Sequence, residues 1–305
     1  MSDIVDEAMS VMEKYTGTVP GYRRAHPRGI GLRGLFTATP DAARLTTAEH
    51  MRGEAVEVVV RLSNAMGSPY APDRRSAKRG AVLGLAVRFE LPSGGHSTWG
   101  APNITAFPAQ KPDQFVAITK GQRNPLRLIP FVLLHPRSVP ALIGLATVPA
   151  TASFATTRFD GLHTYYLVDA DGRRRPFRYR WIPDAGIHGP TGDPPKQYLT
   201  SEIGERVARG PVSWRLVFQM AEPGDPLDDV RRRWPEERPQ IAAGRLVLDR
   251  LHEDQDVVEG YVFDPTDVPP GVELSGDPIL HLRPKVYAES HRRRTREAKP
   301  PVRAE

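Results

Sequence analysis

The chain contains no cysteine. That absence excludes disulfides, thiolate nucleophiles and cysteine-ligated iron centres, so any redox chemistry has to be carried by a cofactor held through other side chains. No uncharged apolar stretch approaches the roughly eighteen residues that a spanning helix needs. The opening MSDIVDEAMSVMEKY sets acids among its apolar residues and lacks a basic segment followed by an apolar run. The expectation is a cytoplasmic protein with no membrane insertion. Internal repeats are also missing.

At 305 residues, with 39% hydrophobic side chains, the chain is long enough for one large core with a closely attached helical part. It reads as a single domain over 1–305, with a helical lead over 1–20 and a flexible tail over 295–305. The net charge of +6 is patchy, with basic runs at Arg173–Arg175, Arg231–Trp234 and His291–Arg296. A basic surface can attract nucleic acid or an acidic membrane. Without zinc-finger spacing, an RNP-like aromatic pair or an extended basic helix, these runs read as solvated turns and a polar tail, with no nucleic-acid partner.

An imperfect apolar stripe predicts a helix over Ile4–Lys14, followed by the Pro/Gly-rich entry TVPGYRRAHPRGIGLRGLF. Val-rich or alternating runs predict strands over Ala55–Asn64, Ala81–Pro92 and 211–220. A hairpin pairs Thr164–Val168 with Pro176–Trp181 around the turn Asp169–Gly172. Between Pro130 and Ala150, prolines interrupt the apolar sequence as they do at the first turns of short helices. A short strand over Arg245–Asp249 follows, and Asp277 then Pro278 carry the cap chemistry of a helix start. Because regular crossover helices do not separate the strands, a doubly wound sheet is disfavoured. An α+β fold built on an antiparallel barrel or sandwich is expected.

A few residues have chemistry of their own. Tyr287 lies four residues after Arg283, so on a helix the guanidinium and the phenol share a face. A cation beside a phenol favours the charged oxygen, and phenolate can serve as an axial ligand to ferric haem. A surface arginine beside a half-buried tyrosine is the ordinary alternative, and Pro284 can kink that turn. His26, in AHPRGIG, can accept and return a proton near neutral pH. Asn103, in GAPNITAF, offers both a donor and an acceptor. Each also has a plain structural reading, and these residues alone support an α+β or mostly β protein with a candidate haem site.

The ordered segments RRAHPRGIGLRGLF, VVVRLSNAMG, GLAVRF, GAPNITAFPAQKPDQF, DPLDDVRRRWP, GRLVLDR and DPILHLRPKVY resemble the haem catalase family. The match runs from Tyr22 to Arg294 and is similar in particular to its small peroxidase-like branch. The resemblance implies a catalase-like antiparallel β-barrel with surrounding helices that binds haem b (iron protoporphyrin IX). It implies His26 as the distal catalytic histidine, Asn103 as the residue placing peroxide, and Ser63 as the hydrogen-bond partner of His26. Phe107 would lie near the distal face of the haem, with core packing as its alternative. Arg23 and Arg61 would face the propionates, where a guanidinium can meet a carboxylate with two parallel hydrogen bonds. Tyr287 would be the axial iron ligand and Arg283 its stabilising partner, with His163 and Asp277 orienting Arg283 from behind.

Some positions depart from the family pattern. Pro27 follows His26 where alanine is common, and Leu83 precedes Gly84 where arginine is common. Ala25 stands where large catalases commonly carry a valine that narrows the peroxide channel. The function expected from the resemblance is a haem peroxidase that reduces hydrogen peroxide and organic hydroperoxides with organic electron donors, with secondary catalase activity. The alternatives are a primary catalase, a fatty-acid hydroperoxide rearrangement like that of allene oxide synthases, and haem storage or carriage. Carriage does not require His26 and Asn103. Helical surfaces left bare in a short chain lead to the expectation of a small homo-oligomer, a dimer by base rate.

Overall fold

The computed structural model describes residues 2–121 and 124–297. Ten strands form one antiparallel sheet: β1 (Arg28–Ala38), β2 (Ala55–Asn64), β3 (Leu83–Glu90), β4 (His96–Pro102), β5 (Phe159–Asp160), β6 (Tyr165–Val168), β7 (Arg174–Pro183), β8 (Val212–Met220), β9 (Gln240–Leu251) and β10 (Val272–Leu274). Their order is β10-β6-β7-β8-β9-β1-β2-β3-β4, with β5 paired to β7. The sheet curls so far that its ends face each other across the core. Tyr179 on β7 donates its hydroxyl to the Gly100 carbonyl on β4 (2.8 Å), and the Trp99 and Tyr179 rings lie 4.7 Å apart. Phe36, Phe89, Phe177, Trp181 and Phe218 fill the same interior, mostly in tilted or edge-on pairs, the arrangement that ring quadrupoles favour.

Strand alternation decides where chemistry can sit. On β2, Val56, Val58, Val60 and Leu62 point into this core, which sends Val59, Arg61 and Ser63 to the outer face. That face is covered by helices. The described helices are α1 (Ser2–Thr16), α2 (Pro40–Ala43), α3 (Pro112–Gly121), α4 (Ile129–Leu134), α5 (Val139–Ala146), α6 (Leu199–Arg209), α7 (Gln255–Gly260) and α8 (Pro278–Arg296). Val258 of α7 closes against Val59. Asp277 caps α8 by accepting from Ile279 N at 2.9 Å, and Pro278 opens the helix, which continues through Pro284.

The hairpin, the first two strands and the proline-started helices fall where the sequence puts them. The Pro/Gly-rich entry does not: from Arg28 onward it is β1, an eleven-residue strand at the centre of the sheet. The strand expected over Arg245–Asp249 is twelve residues long. β4, α3 and α6 were not expected. The flexible tail is corrected for 295–297, because α8 runs to Arg296 and Glu297 binds Arg24 Nη2 (2.5 Å) and Gly21 N (2.9 Å). Residues 298–305 lie outside the described part. The N-terminal lead is the docked helix α1, whose Ala8 and Val11 pack on Val116 of α3.

His50 is buried beside Phe89 and Trp99, with neither ring nitrogen hydrogen-bonded. Burial pushes it from 6.5 down to about 3. The unfolded chain therefore binds a proton that the folded chain refuses between these values, and stability present above pH 6.5 is lost as the pH falls towards 3. His50→Phe keeps a ring in place and removes the titration, so urea midpoints measured from pH 7 to 4 should fall less steeply than in the parent. Parallel slopes would exclude His50 as a source of acid lability.

Candidate active site

The outer face carries a row of residues across four strands, with Gly29, Ser63, Gly84 and Pro102 paired in register from β1 to β4. His26 lies over this row. Its Nδ1 is 2.8 Å from Ser63 Oγ, and the Ser63 hydroxyl can donate its hydrogen bond to the Gly84 carbonyl at 3.4 Å. With the serine proton so directed, Oγ accepts from Nδ1–H and leaves Nε2 as the free basic nitrogen. A side chain at position 84 would prevent this, since a Cβ there would come within 2.6 Å of His26 Cε1. Among the described residues His26 is also the one non-glycine at positive φ (55°), the kind of strain that cores tolerate at working sites. Burial, then Arg61, Arg283 and Arg23, push its pKa down to about 3, so the imidazole is neutral at ordinary pH.

Asn103 sits at the end of the same row, but its amide is partly committed. Oδ1 accepts from Leu83 N (2.7 Å) and Nδ2 makes a long contact with Ala81 O (3.4 Å). One lone pair of Oδ1 is thus taken by backbone, and Nδ2, whose own contact is long, is the group freest to donate to a peroxide. Phe107 stacks on Phe115 (6.1 Å) in the apolar layer beneath α4 and α5, which is the packing role named as its alternative.

Opposite this group, Arg283 on α8 donates to Tyr287 Oη at 2.5 Å. Burial works against its charge, but Tyr287, Tyr165 and Tyr179 hold the guanidinium protonated more firmly than usual. His163 and Asp277 form a buried pair, Nδ1 to Oδ2 at 2.7 Å, and burial, with help from Arg283, lowers the histidine pKa. The resemblance implied that this pair orients Arg283 from behind. Among the described residues no hydrogen bond joins them, so the pair acts through charge and by capping α8.

The third group was half expected. Arg23 and Arg61 both give their Nε to one carboxylate, Glu259 (3.0 and 2.8 Å). Arg23 Nη2 also donates to the carbonyls at the end of α7, at Val258, Glu259 and Tyr261. Arg61 lies flat on β1, where a Cβ at Gly29 would come within 2.4 Å of its Cζ. Sequence reasoning missed Glu259 and Arg294. The latter is buried, shares the Tyr261 carbonyl with Arg23 and feels the charges of Glu259 and Arg61. Its one sequence signal was its place seven residues after Tyr287, on the same face of α8.

These groups fit haem. Three buried arginines and one carboxylate leave two positive charges in excess, and haem carries two propionates. Burial first, then Arg61, presses Arg23 down to about 9 and Arg294 to about 10, strain that a bound anion relieves. Arg61 Nη2, 2.7 Å from Glu259 but not aligned to bond it, is buried without a hydrogen-bond partner. His26 and Arg283 are embedded in protein yet keep accessible surface, as residues lining an internal space do, and Tyr287 beside Arg283 is half-buried.

A family model described as Catalase matches residues 11–299. The chain belongs to the catalase family. It is 34% identical to a catalase-related peroxidase of Mycolicibacterium paratuberculosis, over 95% of this chain and 94% of that protein. With a catalase-related peroxidase of Synechococcus elongatus it shares 30% identity, over 95% and 88%. A fungal catalase structure superposes with a TM-score of 0.79 at 22% identity, covering 93% of this chain and 62% of its own. The chain thus spans about three fifths of that larger catalase. As a member of the family, the protein is a haem oxidoreductase of the peroxidase and catalase type, acting on peroxide.

Tyr287→Phe removes the one oxygen that α8 aims beside Arg283 while keeping the ring. Reconstituted with ferric haem, this variant should lose the absorption bands of phenolate coordination, and an unchanged spectrum would overturn the assignment of the ligand.

Proposed function

We propose that the protein binds haem b through Tyr287 and reduces hydrogen peroxide and organic hydroperoxides with organic electron donors, releasing oxygen as a lesser activity. The observation that carries this reading is the neutral His26 held by Ser63, with a free Nε2, opposite Arg283 and Tyr287. Haem, when bound, supplies the iron at which the O–O bond breaks and from which electrons are exchanged with a donor. His26 Nε2 takes the proton from the peroxide oxygen and returns it to the departing oxygen. Asn103 Nδ2 donates to the peroxide and limits its movement. Arg23, Arg61 and Arg294 hold the propionates, and Arg283 keeps negative charge on the Tyr287 oxygen. Carriage alone would leave a neutral base beside the site without a task.

The preference for organic donors is supported by Ala25, which is exposed beside His26, and by the names of the two catalase-related peroxidases. A cytoplasmic location and a homodimer, the commonest closed assembly, complete the reading. Hydroperoxide rearrangement remains a second outcome of assays that omit the donor.

His26→Ala should slow the reaction with peroxide by roughly 100-fold to 10,000-fold while haem stays bound, the usual scale of positioned acid–base help. In stopped flow, a rate equal to the parent's would assign proton transfer to another group. In the parent, this rate should show no inflection near pH 6.5, because His26 remains a base down to about pH 3.

Ala25→Val restores two methyl groups next to His26. A modest clash of about 1–3 kcal/mol should slow tert-butyl hydroperoxide by roughly 5-fold to 150-fold relative to hydrogen peroxide. A common factor for both would show that Ala25 does not control access.

A further inference from the structure

Of the ten large apolar side chains that the described residues leave exposed, five fall in one stretch: Leu126, Ile129, Leu133, Leu134 and Ile143, at 52–76% exposure. They belong to a single-turn helix, Pro125–Leu128, and to α4 and α5. The segments Leu126–Leu134 and Pro136–Ala146 meet at 113° and form an elbow. Its inner side is fixed, because Phe131 is buried against Ala109, Ile118, Val230 and Ile279. The outward leucines are thus presented by a packed element. No single described helix is long and apolar enough to cross a membrane.

The charge along this stretch of chain is one-sided. From Gln114 to Phe159 the sequence holds no aspartate or glutamate, while Arg127 and Arg137 stand exposed on the elbow. A second copy meeting this face about a two-fold axis would set these arginines near their own equivalents, with no acid of the elbow to neutralise them. An anionic bilayer supplies both missing partners, since leucines enter the acyl boundary while guanidiniums meet headgroup phosphates.

We propose that the α4–α5 elbow docks the protein onto an anionic lipid surface, lying in the interface without spanning it. Arg137, Pro140 and Ile143 of the elbow also line an open cleft of about 1100 Å³ whose wall includes Asn103. Docking would turn that cleft towards the bilayer and offer apolar hydroperoxides a short approach, a consequence that rests on the peroxidase reading above.

The test floats the haem-loaded protein with vesicles of phosphatidylcholine alone or mixed equally with phosphatidylglycerol. Binding should be at least roughly tenfold stronger to the anionic vesicles and weaken with added salt. Arg127→Gln should lower it by about 5-fold, the worth of one arginine near such a surface. Leu133→Ser with Leu134→Ser should lower it by more than roughly tenfold. Equal partition to both vesicles, or none to either, overturns docking. So does a parent oligomer that the two serine substitutions convert to monomer in sedimentation while neither protein binds vesicles, since the face then belongs to a second copy. The Soret band and turnover of a soluble donor are read on the same samples. Their absence beside intact vesicle binding would count against the peroxidase reading and leave docking standing.

Discussion

The site depends on positive charge held where water cannot easily reach it. Arg23, Arg61 and Arg294 are buried within one electrostatic neighbourhood, and Glu259 answers only part of their charge. A cluster of this kind weakens the fold that carries it until an anion arrives. The remainder is also felt at His26, where Arg61, Arg283 and Arg23 add to burial in keeping the imidazole neutral. One excess of charge therefore does two things: it attracts a dianionic cofactor and keeps a base free of its proton.

The barrel makes this arrangement durable. Its aromatic interior consumes one face of each strand, and the opposite face of β1 to β4 is left to small residues at the points of closest approach. Gly29 gives Arg61 room to lie flat, and Gly84 gives the same room to the His26 ring. α7 and α8 close the space from outside, each bringing charged groups that no single strand could present together.

Where local chemistry marks a boundary, the sequence was legible. Asp277 and Pro278 announced the start of α8, and the Asp169–Gly172 turn, with Asp169 accepting from the Asp171 and Arg173 amides, announced a hairpin. The catalytic residues were legible mainly through their resemblance to a family, since the Arg283–Tyr287 spacing alone could not be told from an ordinary surface pair. β1 was hidden because the glycines that admit Arg61 and neighbouring side chains also look like loop residues. Glu259 sits in the acidic run HEDQDVVEG, where nothing local separates a half-buried, doubly paired carboxylate from its exposed neighbours. Arg294 was masked by the basic run around it, and only the tertiary fold shows which of those arginines turns inward.

The first and last described helices meet beside this site. Glu297 grips Arg24, which also binds Glu13 of α1, and Arg293 reaches the same Glu13. Arg24 stands between Arg23 and Ala25, one residue further from His26. Arg23 and His26 thus precede Arg283, Tyr287 and Arg294 by more than 250 residues along the chain. During synthesis Arg23 and His26 are therefore made long before the residues of α8 that complete the site. Capture of haem through Tyr287 would have to follow the making of α8, and a polypeptide cut short before that helix would keep Arg23, Arg61 and Glu259 but lack Arg283, Tyr287 and Arg294.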